Sequence, residues 1–353
     1  MLAVFWKPFL IAGIVSLGVQ PAVIWFFRKK GWMENIKEKQ RKLGNVTAIK
    51  PVPRGAGLGI FLGVTLALTV SLKLDKHMAG VIWGALLLLI VGLRDDVRDV
   101  SPKIRLLANF LAAGLVVASG IGIALVSNPL GGVIDLSWPR WQFFLAGRGH
   151  EVWFLADFLA VVWIVYCTNA VGWATGVQGQ LPGFAIISAL VIGILGLKFS
   201  QDITQWPVII LAGAVAGAYT GFLPYNFFPQ KMQPGYSGKS LAGYFLAVLA
   251  ILSGAKLATV ILVLGIPVLD AAYVGLGRLK KRKVPWKGGA EHFHHLLLKT
   301  GWSQKKVTLF YWAVSAGLGA VALCLNSRQK FYTLIGLGLV LGYGIDRLNR
   351  VKT

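Results

Sequence analysis

The sequence Gly92-Leu93-Arg94-Asp95-Asp96-Val97-Arg98-Asp99 follows and overlaps an apolar run, residues 79–93, that can lie in lipid. Three carboxylates fall within five residues here, although the chain has only 13 acidic residues. Carboxylates this close repel one another unless a metal, a basic group or a proton intervenes, and hard oxygen ligands suit Mg²⁺. The pattern predicts either a cation site at Asp95 and Asp96 or a solvated loop with Arg94, Arg98 and Lys103 as counter-ions.

Composition places the rest of the chain in a membrane. Of the 353 residues, 56% are hydrophobic and 14% are charged, and the mean hydropathy is +0.67, which excludes an ordinary soluble domain. Repeated apolar runs predict an all-α polytopic membrane protein with about eleven transmembrane helices in one integral-membrane domain, residues 1–353. The predicted spans are residues 6–27, 55–73, 79–93, 106–127, 152–171, 183–199, 207–223, 240–255, 257–276, 307–325 and 331–346.

The direction of the spans is predicted from the net charge of +23. If the N-terminus lies outside, about three quarters of the Lys and Arg residues fall on one side, which the positive-inside rule assigns to the cytoplasm. The C-terminus is then cytoplasmic. This charge is either a topology signal alone or also an attraction for anionic substrates and lipid headgroups. Nucleic acid is not expected as a partner, because no nucleic-acid-binding module is recognisable.

The loop at residues 128–151 lies on the opposite, outer side. Its apolar and aromatic segments, residues 133–138 and 141–144, predict a short hairpin or an aromatic anchor at the membrane interface. We assign it no catalytic role.

The cytoplasmic loops carry the polar motifs. Lys50 precedes PVPRGAG at residues 51–57, where proline stiffens the chain and glycine permits close approach, either for a phosphate or for helix packing. Asn169 and Asn226 lie near helix ends. Their amides could bind a sugar or phosphate, or could satisfy backbone groups where helices break.

The last large loop contains EHFHH at residues 291–295, so three of the five histidines fall within four residues. Imidazoles bind phosphate when protonated, transfer protons or ligate metals. His292 and His295 are three residues apart and would share a helix face, with His294 pointing elsewhere. A Zn²⁺ site is disfavoured, since no cysteine lies nearby and the spacing is unfamiliar.

In this order the motifs resemble the polyprenyl-phosphate N-acetylhexosamine-1-phosphate transferase family, which includes phospho-N-acetylmuramoyl-pentapeptide transferase and undecaprenyl-phosphate GlcNAc-1-phosphate transferases. The likeness is colinear from about residue 50 to residue 307 and is specific only when its motifs are taken together. It rests on PVPRGAG at 51–57, Asp95 and Asp96 with SPK at 101–103, NAV at 169–171, GFLPYN at 221–226, PVLD at 267–270 and EHFHH at 291–295.

The resemblance implies transfer of a sugar 1-phosphate from a UDP-sugar to a polyprenyl phosphate at the cytoplasmic face, with Mg²⁺ as cofactor and release of UMP. It implies that Asp95 and Asp96 are catalytic and handle the metal and the lipid phosphate, with Lys103 close by. His292, His294 and His295 would bind the diphosphate or leaving nucleotide, and Asn169 and Asn226 the nucleotide-sugar. Lys50 is counted among the substrate-binding residues.

Two motifs depart from the family. Where the family has NLTDGLDG, this chain has GWATGVQG at residues 172–179, so Thr175 and Gln178 replace two carboxylates. Where the family has MGDSGS, this chain has PGYSGK at residues 234–239, so Tyr236 replaces an aspartate expected to bind Mg²⁺. Metal affinity should fall, and Lys239 offers a fixed charge in partial compensation.

Two functions follow from these motifs. A divergent transferase is favoured; a catalytically silent relative that binds polyprenyl phosphate or a nucleotide-sugar is the alternative, and a transporter is a distant third because the polar residues cluster on one face. The expected partners are a polyprenyl phosphate, a UDP-sugar and the membrane, with a homodimer as the assembly considered. The expected location is the bacterial cytoplasmic membrane, with the active face cytoplasmic.

Overall fold

The computed structural model describes residues 2–34, 36, 50–128, 131–145, 148–173, 176–198, 201–253, 257–282 and 291–350. In the first third of the chain four helices precede the loop around residues 128–151: α1 (Leu2–Lys29), α2 (Gly57–Ser71), α3 (Lys76–Val97) and α4 (Pro102–Ala118).

Side-chain caps set the beginnings of α3 and α4. The Asp75 carboxylate accepts a hydrogen bond from Met78 N (2.9 Å), and Ser101 Oγ accepts one from Ile104 N (3.4 Å). Each bond satisfies a backbone N–H that the first helical turn leaves without a partner. The Ser101 cap therefore begins α4 directly after the polar turn that contains Asp99, whereas the Asp75 cap lies at the opposite end of α3.

The loop around residues 128–151 forms two antiparallel hairpins, where the sequence predicted one short hairpin or an aromatic anchor. Strand β1 (Leu125–Ser127) pairs with β2 (Val133–Asp135), and β3 (Arg140–Leu145) pairs with β4 (Arg148–Trp153). The span predicted for residues 106–127 is wrong at its end. The helix stops at Ala118 because Gly120 adopts a φ of +99°, which ends the helix before β1.

After the hairpins the chain is helical with short connections. The predicted span 257–276 is interrupted at Leu264, which separates two shorter helices. The helices are α5 (Phe154–Trp173), α6 (Gln180–Leu197), α7 (Trp206–Asn226), α8 (Gly235–Leu252), α9 (Leu257–Val263), α10 (Gly265–Lys280), α11 (Phe293–Lys299), α12 (Gln304–Cys324) and α13 (Ser327–Arg350).

The prediction of a helical membrane protein is confirmed. Among the described residues, eight helices are long and apolar enough to cross a bilayer: α1, α3, α5, α6, α7, α8, α12 and α13. Each of the eleven predicted apolar segments overlaps a helix. Eight of them lie on these eight long helices, and the other three lie on α2, α4 and the α9–α10 pair. The number of crossings and their direction stay predictions.

Helices α7 and α8 form the centre of the fold. In the most apolar stretches of α7 and α8, 78% and 83% of the residues are buried inside the protein. The corresponding value for α13 is 11%, so this helix at the edge of the bundle leaves its apolar surface free for lipid. Glycines let α1 lie directly on α7: a Cβ on Gly217 would lie 2.0 Å from Phe9 O, and one on Gly213 2.4 Å from Phe5 O. Small residues permit such close contact between helices where lipid supplies no hydrophobic drive.

A Gly217→Ala substitution should lower the melting temperature of the detergent-solubilised protein. Its methyl group would overlap the α1 backbone, and overpacking of this kind costs about 1–3 kcal/mol. Gly114→Ala is the matched control, because a Cβ there meets no atom within 4 Å and alanine is the better helix former. An unchanged melting temperature for Gly217→Ala would contradict the close α1–α7 packing.

Candidate active site

The carboxylate pair, Asp95 and Asp96, lies in the last turn of α3 and faces the protein interior. The two residues are only 4% and 6% exposed. Asp99, Arg94 and Arg98 are exposed. A solvated loop therefore describes the neighbours of the pair but not the pair itself.

Asp96 is bound to the N-terminus of α8. Its Oδ1 accepts a hydrogen bond from Tyr236 N (2.6 Å), and its Oδ2 accepts from Ser237 N (3.3 Å) and Ser237 Oγ (2.5 Å). The positive end of the helix dipole stabilises a carboxylate here. The contact requires glycine at position 235, where φ is +65° and a Cβ would lie 2.2 Å from Asp96 Oδ1.

Asp95 faces α4 instead. Its Oδ1 accepts a hydrogen bond from Val100 N (2.9 Å) and lies 3.5 Å from Arg105 Nε. The Arg105 guanidinium also lies over the ring of Tyr236, 5.3 Å from its centroid. The Tyr236 hydroxyl donates to Asn109 Oδ1 at 3.1 Å. Tyr236, at the position of the family aspartate, thus packs with a cation and an amide.

The PVPRGAG stretch contacts the same site. Arg54 Nη2 lies 3.2 Å from Glu34 Oε1, and Arg54 Nη1 lies 3.6 Å from Asp99 Oδ1. Burial acts to lower the pKa of Arg54, but Glu34, Asp96 and Asp99 outweigh it and the pKa is raised. Gly57 N donates to Ser237 Oγ (3.2 Å), so the glycines here serve close packing of α2 against α8.

The residues present do not fit a Mg²⁺ site of the type the family pattern implies. Both oxygens of Asp96 accept hydrogen bonds from α8, and Asp95 Oδ1 faces Val100 N and Arg105. Tyr236 offers only a neutral hydroxyl, which is engaged with Asn109. In the described part of the chain no three His, Cys, Asp or Glu side chains converge as metal ligands. Mg²⁺ demands near-octahedral oxygen ligands, and this donor set falls short.

The second half of the site is the histidine cluster, His292, His294 and His295, at the start of α11. His292 Nδ1 lies 3.0 Å from Asp270 Oδ2, and Phe293 N donates to Asp270 Oδ1 (3.0 Å). The rings of His292 and His294 stack with centroids 6.1 Å apart, and those of His294 and His295 lie 4.1 Å apart. Asp270 therefore orients the first turn of α11.

His294 and His295 are neutral at physiological pH. Burial lowers the pKa of His294 well below its usual value, and repulsion by His295, His292 and Lys239 adds to the shift. Burial also lowers the pKa of His295 to about 4, helped by His292, Lys239 and Lys299. Their rings can contact a phosphate through N–H groups, but the positive charge at this end comes from lysine.

His294 is fully buried, and within the described residues neither of its ring nitrogens has a hydrogen-bond partner. Its Nε2 lies against Gly176, where a Cβ would be 2.4 Å away. Lys239, two residues after Ser237 on α8, contacts Gly172 O through Nζ (3.4 Å) and acts electrostatically on both His294 and His295. Lys239, Gly176 and the histidines therefore belong to one region.

The loop before α6 encloses that region. Gln180 Oε1 accepts hydrogen bonds from Gly176 N (3.0 Å) and Val177 N (3.1 Å), and Thr308 Oγ1 donates to Gln178 O (2.7 Å). Gln178, at a position usually acidic in the family, is buried. Thr175 lies outside the described residues.

The predicted amides bind backbone groups. Asn226 Oδ1 accepts from Gly179 N (2.9 Å) and its Nδ2 donates to Met232 O (3.0 Å), while Asn169 Nδ2 donates to Val165 O (2.8 Å). This matches the backbone alternative raised by the sequence; binding of a nucleotide-sugar stays a prediction. Lys50 and Lys103 are both exposed.

Among the site residues that received no role from the sequence are Arg105, Asn109 and Asp270. Asp270 had a usable signal, because an acid inside an apolar span is rare and commonly functional. Arg105 and Asn109 carried no such sequence signal, since their contacts depend on where α8, which is distant in the chain, packs against α4.

Comparison with known proteins identifies a family and several relatives. The model of the family described as "Glycosyl transferase family 4" matches residues 78–254. A probable undecaprenyl-phosphate N-acetylglucosaminyl 1-phosphate transferase of Bacillus subtilis (strain 168) is 27% identical, over 81% of this chain and 76% of the relative. A phospho-N-acetylmuramoyl-pentapeptide-transferase of Moorella thermoacetica is 28% identical, over 90% of this chain and 98% of the relative.

A third relative is named for a different polyprenyl phosphate. The decaprenyl-phosphate N-acetylglucosaminephosphotransferase of Mycobacterium tuberculosis (strain ATCC 25618 / H37Rv) is 25% identical, over 83% of this chain and 78% of the relative. The names of these three relatives share a sugar-phosphate transfer but differ in the sugar and in the lipid.

The neutral histidines predict a pH-dependent stability. Between about pH 6.5 and pH 4 the unfolded chain takes up protons at His294 and His295 that the folded chain does not, so stability is full above this window and falls as the pH decreases. His295→Gln should reduce the slope of the unfolding free energy against pH by at most about 1.4 kcal/mol per pH unit. The measurement is the melting temperature from pH 7.5 to pH 4.5.

His77→Gln, which removes a histidine outside the cluster, is the control for that measurement. A slope of melting temperature against pH that is the same in His295→Gln and in the unmodified protein would contradict a buried neutral His295.

Proposed function

The chain belongs to glycosyl transferase family 4, and from this premise we propose that it is a glycosyl-1-phosphate transferase that moves a sugar 1-phosphate from a UDP-sugar to a polyprenyl phosphate. The sugar nucleotide is a UDP-N-acetylhexosamine or UDP-MurNAc-pentapeptide, in keeping with the names of the relatives. UMP is the second product.

One observation carries the proposal: the first turn of α8 joins the two halves of the site. Tyr236 and Ser237 hold Asp96 of the carboxylate pair, and Lys239, on the next turn, lies beside His294 and Gly172. A nucleotide diphosphate and a lipid phosphate could therefore meet across a single helix terminus. The N–H groups of Tyr236 and Ser237 are already bound by Asp96, so the dipole of this terminus and the charge of Lys239 are what favour the anions.

The reaction needs alignment and charge compensation more than a special nucleophile. An oxygen of the lipid phosphate attacks the phosphorus that carries the sugar, and a new phosphoanhydride bond joins the two phosphates. The anhydride bond to the uridylyl group breaks, and UMP leaves with the bonding electrons. Since the lipid phosphate is already nucleophilic, the protein acts mainly through position and electrostatics.

Each side chain has a role suited to its contacts. Asp95 is paired with Arg105, whose side chain is 31% exposed and carries the charge that attracts a phosphate, so we place this pair nearest the attacking lipid phosphate. Asp96 holds α8 in place. Lys239, which is partly exposed, is placed at the diphosphate with the buried neutral ring of His294 beside it, and Asn226 keeps the loop around Gly179 in its position.

The argument for the alternative, a catalytically silent relative, is that Tyr236 and Gln178 stand where the family pattern has carboxylates. The direct test is transfer of radiolabel from a panel of UDP-sugars to undecaprenyl phosphate by the purified full-length chain, with and without Mg²⁺. No product from any UDP-sugar in either condition would favour the silent relative.

Asp95→Asn should lower the rate of UMP release at least about 100-fold with the melting temperature retained, since a charge acting in the transition state is worth several kcal/mol. Asp96→Asn should lower both the rate and the melting temperature, because it also weakens the cap on α8. Asp135→Asn, in the outer hairpin, is the control. Unmodified rates in both site variants would exclude the carboxylate pair from the reaction.

We also propose that the C-terminus and the loop around residues 277–306 are cytoplasmic, on the strength of the charge asymmetry. In a Cys324→Ala background, with Cys167 buried, a membrane-impermeant maleimide should label Gln201→Cys but not Lys281→Cys in intact spheroplasts. Both positions are exposed. The reverse labelling pattern would invert the topology and place the site outside.

A further inference from the structure

The carboxylate pair has a positively charged partner that belongs to the protein. Arg105 Nε lies 3.5 Å from Asp95 Oδ1, and the same guanidinium lies over the Tyr236 ring, 5.3 Å from the centroid. A guanidinium so placed is attracted both by the carboxylate and by the face of the aromatic ring. The site therefore holds a fixed cation next to Asp95.

Helix α4 and Tyr236 hold that cation in position together. Arg105 and Asn109 are four residues apart, on one face of α4. Arg105 contacts the ring of Tyr236, and the Asn109 amide oxygen accepts the hydrogen bond from its hydroxyl. An aspartate at position 236, as in the family pattern, would provide neither the ring nor this hydrogen bond. Tyr236 and Arg105 thus act as a pair.

Arg105 also remains accessible to a ligand. Its side chain is 31% exposed, whereas that of Asp95 is 6% exposed. Guanidinium carries five N–H donors in a planar fork, and only Nε is directed at Asp95, so other donors can bind phosphate oxygens in pairs. By contrast, the carboxylate oxygens that would ligate a metal are mostly engaged, as described above.

We propose that Arg105, braced by Tyr236 and Asn109, supplies the positive charge that the family pattern assigns to a divalent cation, and that this site binds the phosphate of a polyprenyl phosphate without divalent metal. Only one part of this inference, that the bound phosphate belongs to a polyprenyl lipid, rests on the proposed function. It makes Arg105 a substrate-binding residue and Tyr236 a positioning residue.

The first test measures metal binding by the purified full-length protein, with Mn²⁺ as a paramagnetic stand-in for Mg²⁺. The unmodified protein should show no saturable Mn²⁺ binding below about 1 mM, because a bare two-carboxylate site keeps the ion largely hydrated. The Arg105→Gln/Tyr236→Asp double variant removes the cation and restores a carboxylate, and it should bind Mn²⁺ saturably. Saturable micromolar binding by the unmodified protein would overturn the proposal without reference to any variant.

The second test measures binding of undecaprenyl phosphate in EDTA. The unmodified protein should bind it, and Arg105→Gln should lower the affinity on the order of tenfold or more, the loss expected for a hydrogen bond to a charged group. Arg105→Lys keeps the charge and should recover part of the affinity. Arg98→Gln removes an exposed arginine of the neighbouring turn and is the matched control.

These measurements separate the inference from the proposed function. Binding in EDTA that depends on Arg105, without transfer to any acceptor, would support the fixed cation and refute the transferase. Transfer that occurs only with Mg²⁺, together with loss of lipid-phosphate binding in EDTA, would support the transferase and overturn the fixed cation. Equal binding by Arg105→Gln and the unmodified protein would also overturn it.

Discussion

The contact between the Asp96 carboxylate and the N-terminus of α8 is the interaction on which the site depends. It joins the end of α3 to the beginning of the most buried helix, and three glycines make it possible. Gly235 takes a positive φ beside the carboxylate, while a Cβ on Gly92 or Gly57 would lie 2.5 Å from Ser237 atoms. A larger residue at any of these positions would push α2, α3 and α8 apart.

Because α8 is anchored in this way, its first two turns separate two electrostatic environments. On one side Asp95 and Asp96 are offset by arginines; on the other, neutral His294 and His295 lie beside Lys239. Burial explains the neutrality of the histidines, since an imidazolium next to a lysine in a desolvated region is unfavourable. The site is thus prepared for anions on both sides without a concentration of like charge.

The departures at position 236 and position 178 are part of this arrangement and not isolated losses. Tyr236 stands where the family pattern has a carboxylate, and it contacts Arg105 and Asn109. Under our proposal the guanidinium ordered by these contacts supplies the positive charge in place of a metal. Gln178 is buried in a loop whose backbone is bound by Thr308. Substitutions that resemble a damaged metal site in the sequence therefore lie at two packed, hydrogen-bonded places in the structure.

The sequence by itself determined the membrane class, the helical segments and the candidate carboxylates and histidines, because apolar runs and charged clusters act over a few neighbouring residues. For residues 128–151 it left a short hairpin and an aromatic anchor as alternatives, and the structure has two hairpins. Tertiary structure alone decided that Asp96 caps α8, that Arg105 lies on Tyr236, and that Asn226 binds backbone. The Asp96–Tyr236 contact joins residues 140 positions apart. No local pattern encodes such a contact, since it exists only once helices distant in the chain have packed together.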